Sequence, residues 1–272
     1  MEIRNILVSL DPRDPATAVL GSAVELAERF GARVSAAAAA QPLVETFGAE
    51  LGTAAALQSY QRQRGEIDEG LGLLQEKFQS TVPGNMRGTF HSLVQQPTGF
   101  LVDESIAADL VLLPTRISPE RSNAVDAGEV IVSAGRPVLL VPEGTKSINT
   151  SNVVIAWTDR REARRAVADA LPFLKTAKDV YVVSVEQGDY PDEHESFKAI
   201  LAWLDRHGIK ATGDIVPPQD TVGRTIEAAA GERKAEFIVA GGYGHTRFRE
   251  WLFGGVTRDL VESLSRCRFF SN

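Results

Sequence analysis

Two stretches decide the fold between them: ILVSLDPRDPATAVLGSAVELAERFG at residues 6–31 and VVIAWTDRREARRAVADALPFL at residues 153–174. Each begins with a short apolar run, passes through a turn containing aspartate, and continues with apolar residues at helical spacing. In the first, Ile6 to Leu10 predicts a strand and Asp11-Pro12-Arg13-Asp14-Pro15 a turn. Asp14 suits an N-cap, and Pro15 suits the first helical turn because its missing N–H has no partner there. Val19, Ala23, Leu26, Ala27 and Phe30 then recur on one helical face, and Gly31 is placed to end it. In the second stretch Val153 to Trp157 predicts a strand and Thr158-Asp159 a turn. Arg161 to Leu174 predicts one helix, with Ala163, Ala166, Val167, Ala170 and Leu171 inward.

The correspondence extends outward. AADLVLLP (107–114) parallels KAEFIVAGG (234–242), each a buried strand entered from a helix. SAGRPVLLVP (133–142) parallels SLSRCRFFSN (263–272), each a final strand following a helix. Between the copies lies EGTKSINTSN (143–152), whose polar composition reads as a linker. The expectation is a tandem duplication with domains at 1–145 and 150–272. Apolar strands alternating with helical segments indicate βαβ units. Strands such as VYVVSV (180–185) are apolar on both faces, as a parallel sheet covered by helices on both sides requires. The fold class is therefore α/β. Ile67, Leu71, Leu74 and Phe78 fall at helical spacing within 60–82, which predicts a long helix packed on the first sheet. The segment before it, FGAELGTAAALQSYQ, has no counterpart in the second copy.

The totals restrict partners. The 272 residues carry a formal net charge of −7 with acids spread along the chain, which argues against a nucleic-acid or anionic-membrane surface. The single cysteine, Cys267, excludes an internal disulfide and a cysteine zinc site, and reads as a buried structural thiol. The N-terminal apolar run is too short for a signal peptide, and no run is long enough to span a bilayer. A cytoplasmic protein is the expectation.

Ligands of doubly wound sheets bind at the carboxyl ends of the strands, where strand order reverses. GGYGHTRFREWLFGGVT (241–257) begins at such an end. Glycine there permits positive φ and lets a ligand approach without a Cβ in the way. Gly254-Gly255 precedes Val256, Leu260, Val261 and Leu264 at helical spacing, so it exposes the free N–H groups of a helix start, a ready anion site. Thr257 adds a hydroxyl, and His245, Arg247 and Arg249 are placed to lie over phosphates. Two unrelated turns are the competing reading; they explain each glycine pair but not their joint placement.

Gly241-x2-Gly244-x9-Gly254 after a strand resembles the nucleotide-binding motif of the universal stress protein family. VVIAW followed by REARRAVADALPFL resembles the head of its domain, and the order of elements resembles a tandem member over nearly the whole chain. The resemblance implies two Rossmann-like, adenine nucleotide alpha hydrolase-like domains, each a mainly parallel five-stranded sheet with helices on both faces. It implies ATP or another adenine nucleotide, with Mg, as ligand. The site it implies in the second copy comprises Ala156, Thr158, Asp159, Val185, Ala240, Gly241, Gly244, His245, Gly254, Gly255, Val256 and Thr257. It further implies that the final strands pair within the chain as a pseudo-dimer, and leaves a homodimer open.

Two departures stand in the second copy. Gly255 replaces the family's hydroxyl residue, and Thr158 takes the place of its aspartate, with Asp159 one position late. The first copy shows the opposite loss. It keeps Asp11, but Pro114 and Thr115 stand where the glycines belong and only Gly128 survives near the last helix. Pro114 has no N–H to give, so the first copy is not expected to bind nucleotide in this manner.

The four histidines lack metal spacing, and RREARR (160–165) reads as a solvated helix face. No nucleophile elbow or other catalytic signature is present. The resulting expectation is a stress-response sensor or regulator, not an enzyme, binding adenine nucleotide in its second domain. The alternatives are an interaction protein with both sites decayed, and a slow ATPase.

Overall fold

A computed structural model describes residues 2–13, 18–43, 54–115, 124–186, 193–242, 259–261, 263 and 265–272. The first half contains β1 (Asn5–Leu10), α1 (Ala18–Phe30), β2 (Arg33–Ala40), α2 (Ala54–Thr81) and β3 (Arg87–Val94). It continues with α3 (Pro97–Glu104), β4 (Leu110–Thr115), α4 (Ala127–Ser133) and β5 (Val138–Pro142). The second half contains β6 (Asn152–Trp157), α5 (Arg161–Asp169), α6 (Leu171–Leu174), β7 (Asp179–Val185) and α7 (Glu193–Arg206). It ends with β8 (Ala211–Val216), α8 (Val222–Glu232), β9 (Phe237–Gly241) and β10 (Cys267–Ser271). The alternation inferred from the apolar runs is thus present in both copies.

The two five-stranded halves are not separate sheets. The strands form one ten-stranded sheet in the order β3-β2-β1-β4-β5-β10-β9-β6-β7-β8. Within each half every neighbour is parallel, and the two halves meet where β10 runs antiparallel to β5, with Phe269 opposite Leu139. The final strands therefore pair inside one chain, as a pseudo-dimer. The physical reason is the seam itself: Leu139, Leu140, Phe269 and Phe270 are completely buried, and two separate domains would expose them.

Each face of the sheet carries one core that crosses the seam. On one face α1 and α2 of the first half join α5, α6 and α7 of the second. There Phe173 of α6 meets Phe30 of α1 edge-on at 5.1 Å, and also packs on Phe237 and Phe269. On the other face α3 and α4 join α8 and Leu260. The alternation of Ile6 and Val8 on the first face with Leu7 on the second is the period-two pattern of a strand covered on both sides.

Three local expectations are settled by packing. Gly31 ends α1 with φ +65°, a conformation that favours glycine. Ile67, Leu71, Leu74 and Phe78 of α2 are buried against the first half. The single helix expected over 161–174 is instead two, because Pro172 lacks the N–H that would continue α5; α6 restarts with proline in its first turn.

The linker is docked rather than a free tether. Ile148 is fully buried, Ser22 donates to the Thr145 carbonyl at 2.7 Å, and Arg29 donates to the Thr150 hydroxyl and the Ile148 carbonyl. One aliphatic residue in an otherwise polar segment is enough to seat it in the shared core.

Candidate functional site

Strand order reverses at β6 and β9 in the second half, so their carboxyl ends form the crevice in which such sheets take ligands. Ala156 of β6 lies in register with Ala240 of β9. Both project to the face covered by α8, and Val185 at the end of β7 joins them there. Ala240 and Val185 are buried and Ala156 is half-buried. Of the expected site residues, the structure brings these three together on one face.

Thr158 and Asp159 follow β6 in an exposed turn, in which Arg160 donates its N–H to the Thr158 carbonyl at 2.7 Å. The Asp159 carboxylate is engaged by Arg164 of α5, whose Nε lies 2.9 Å away and whose Nη2 also contacts it. Two more arginines of the basic cluster are similarly occupied: Arg161 pairs with Glu162, and Arg165 with Asp169. Glu162 itself is buried at the start of α5.

At Gly241 the space that a side chain would take is occupied by protein. A Cβ there would lie 2.5 Å from Ala163 N and 2.7 Å from the Glu162 carbonyl carbon. What approaches this glycine is the backbone of α5, on the face opposite to Ala156 and Ala240. At Gly242 a Cβ would lie 2.3 Å from Cγ2 of Ile131 in α4, so the first half occupies that space. The Gly242 N–H donates to the Ser271 carbonyl at 2.8 Å and is spent on the sheet. Neither glycine has positive φ. Close packing of helix on strand and of half on half therefore requires this pair, a consequence of tertiary contacts that sequence spacing does not carry. Gly244, His245, Gly254, Gly255, Val256 and Thr257, with Arg247 and Arg249, lie outside the described residues.

At the equivalent end of the first half, the turn after β1 is engaged by its own residues and by α2. Asp11 accepts from the N–H of Arg13 and from its Nε and Nη2, so this aspartate is engaged within its own turn. Helix α2 presses on that turn, with the Pro12 carbonyl oxygen only 2.2 Å from where a Cβ of Gly70 would stand. Pro114 is tolerated inside β4 because β1 pairs only with Leu110 to Leu112 and the strand continues along β5 alone. Gly128 is buried within α4, whose first turn is capped by Asp126 accepting from the Glu129 N–H. A cleft of about 350 Å³ remains beside α2, lined by Arg13, Gln41, Leu43, Gln63, Glu66 and Ile67.

Cys267 is buried in β10, and burial pushes its thiol up to about 12, which keeps it a neutral packing group. Among the described residues no cluster of three His, Cys, Asp or Glu could hold a metal ion, and no helix is long and apolar enough to cross a membrane. One residue of the second half escaped the sequence reading: Arg268 of β10 is completely buried. The signal was present, because a charge stands in the apolar CRFF run where the first copy has Val138 in PVLLVP.

No family model matches the sequence, and no curated protein matches it. The architecture has close likenesses among solved structures. A universal stress protein from Archaeoglobus fulgidus DSM 4304 superposes with a TM-score of 0.71 at 14% identity, over 98% of this chain and 96% of that one. A functionally unknown protein from Pseudomonas aeruginosa PAO1 gives a TM-score of 0.60 at 15% identity, over 98% and 92%. At such identities the likeness shows a shared fold, full-length and duplicated.

Proposed function

We propose that this chain is a stress-response regulator whose second half binds an adenine nucleotide, ATP with Mg²⁺, without turning it over. The observation that supports this most is the juxtaposition at the β6–β9 crevice. Ala156, Val185 and Ala240 share the face toward α8, at the strand end from which the Gly244 and Gly254-Gly255 sequence departs. A flat base fits against small side chains of this kind, and free backbone N–H groups at a glycine-flanked helix start suit phosphate. Mg²⁺ would enter with the triphosphate, since the described residues supply no metal cluster of their own. Titration calorimetry with ATP tests the reading. The wild type should bind one equivalent, and Gly244→Val should bind none; absence of heat with the wild type would refute it.

A second reading is favoured by a separate observation. Gly241 and Gly242 are both required by packing, and Asp11 and Asp159 are both engaged by arginines. A chain retaining this fold purely for its surfaces would show the same features. Protein purified without added nucleotide separates the two, because a bound adenine chromophore released on denaturation is expected only from the first.

A further inference from the structure

The arginine cluster at 160–165 takes no part in the proposed site, and its placement opposes the helix that carries it. Arg160 is the N-cap of α5 and makes no side-chain capping bond, where Ser, Thr, Asp or Asn would accept one. Arg161 and Arg164 follow in the first turn, at the positive end of the helix dipole, while Asp169 is the last helical residue, at the negative end. The matching helix of the first half has no such pattern, because α1 carries no cation before Arg29 in its last turn. The shared fold therefore does not need these arginines.

They also form a continuous surface. Glu162, Ala163, Ala166 and Val167 are buried, so the exposed positions of α5 are Arg161 and, one turn on, Arg164 and Arg165. Each arginine has an acidic partner, but in two pairs the acid lies beneath. The Glu162 and Asp169 side chains are 10% and 17% exposed, against 75% and 55% for Arg161 and Arg165. Arg165 donates through Nε, and Arg161 and Arg164 through Nε and Nη2, so Nη1 of each stands outside these pairs. Exposed pairs of this kind are weak, and a better-placed acceptor displaces them. Guanidiniums one helical turn apart match successive carboxylates, which they bind with two parallel bonds each. The net charge of −7 includes these four cations, so the rest of the chain carries −11 and repels a long polyanion such as nucleic acid. Nor does α5 suit a bilayer, because its apolar face is spent on the core. A short acidic protein segment meets neither obstacle.

We propose that Arg160, Arg161, Arg164 and Arg165 form a docking surface for a short acidic segment of a partner protein. The surface is independent of the nucleotide reading, and its binding is measured without ATP. Fluorescence anisotropy of a labelled oligoglutamate peptide at low salt provides the test. Binding should weaken at least about tenfold in R161Q/R164Q/R165Q, and less than about twofold in R62Q/R64Q/K77Q, which removes three exposed cations from α2. A wild type that takes no peptide, or similar effects of the two variants, would overturn the proposal. Single-stranded DNA of the same charge binding as tightly as the peptide would overturn it too. R161Q/R164Q/R165Q should melt at or above wild type, because two of its arginines oppose the helix dipole. Melting more than about 3 °C lower, or failure to fold, would make the arginines structural and overturn the docking role.

Discussion

The packing at Gly241 yields a prediction that separates two roles a glycine can have at a strand end. In Gly241→Ala the new methyl would stand 2.5 Å from Ala163 N, 2.7 Å from the Glu162 carbonyl carbon and 3.0 Å from Ala163 Cα. These are backbone atoms of α5, so no rotamer change relieves the contact, and ordinary van der Waals separation requires the helix to move off β9 by about 1 Å. Overpacking of this kind costs about 1–3 kcal/mol, and the reduced entropy of the unfolded chain returns about 0.4–1 kcal/mol. The expected net destabilisation is about 1–2 kcal/mol, which lowers the melting temperature by about 2–6 °C in a chain of this size. Differential scanning calorimetry reads it directly. Gly241→Ala melting at or above wild type would refute the packing explanation and return Gly241 to a ligand-facing role.

The shared cores predict that the halves unfold together. Phe269→Ala, at a fully buried seam position, should cost about 3–5 kcal/mol and accelerate exchange of the Val111 and Leu112 amides in the first half; acceleration confined to the second half would contradict a common core. Cys267 should resist thiol reagents in native protein at pH 8 and react fully in denaturant, because burial holds its pKa at about 12. The sign of the linked pH effect follows. The folded pKa lies above the unfolded value of about 8.5, so this contribution is complete below pH ~8.5 and is lost progressively as pH rises toward 12. A Cys267→Ala variant should therefore lose less stability between pH 8 and pH 10 than wild type; equal losses would refute it.

Much of the fold was legible because parallel, doubly covered strands leave a strong mark. Val153 to Trp157 and Leu110 to Leu113 are apolar on both faces, and Val19 to Phe30 has one apolar stripe, so period alone assigned them. The duplication was legible because each half repeats the same order. What escaped was decided by contacts distant in sequence. Ile148 looked like an incidental residue of a polar linker until the shared core gave it a socket. What a side chain at Gly241 or Gly242 would meet, α5 and Ile131, is also a tertiary contact on which spacing is silent. Arg268 was visible as a mismatch with Val138, but its burial at the seam follows only from the pairing of β10 with β5. The grouping of Ala156, Val185 and Ala240 lay between: the resemblance named these residues, and the register of β6 with β9 places two of them side by side.

Crystallisation with saturating ATP tests the proposed site most directly. Nucleotide density over Ala156 and Ala240 at the β6–β9 crevice, with its phosphates running toward Gly244 and Gly254, is the predicted result. A fully diffracting crystal with no density there, or with density only in the first-half cleft beside Arg13 and Gln63, would contradict it.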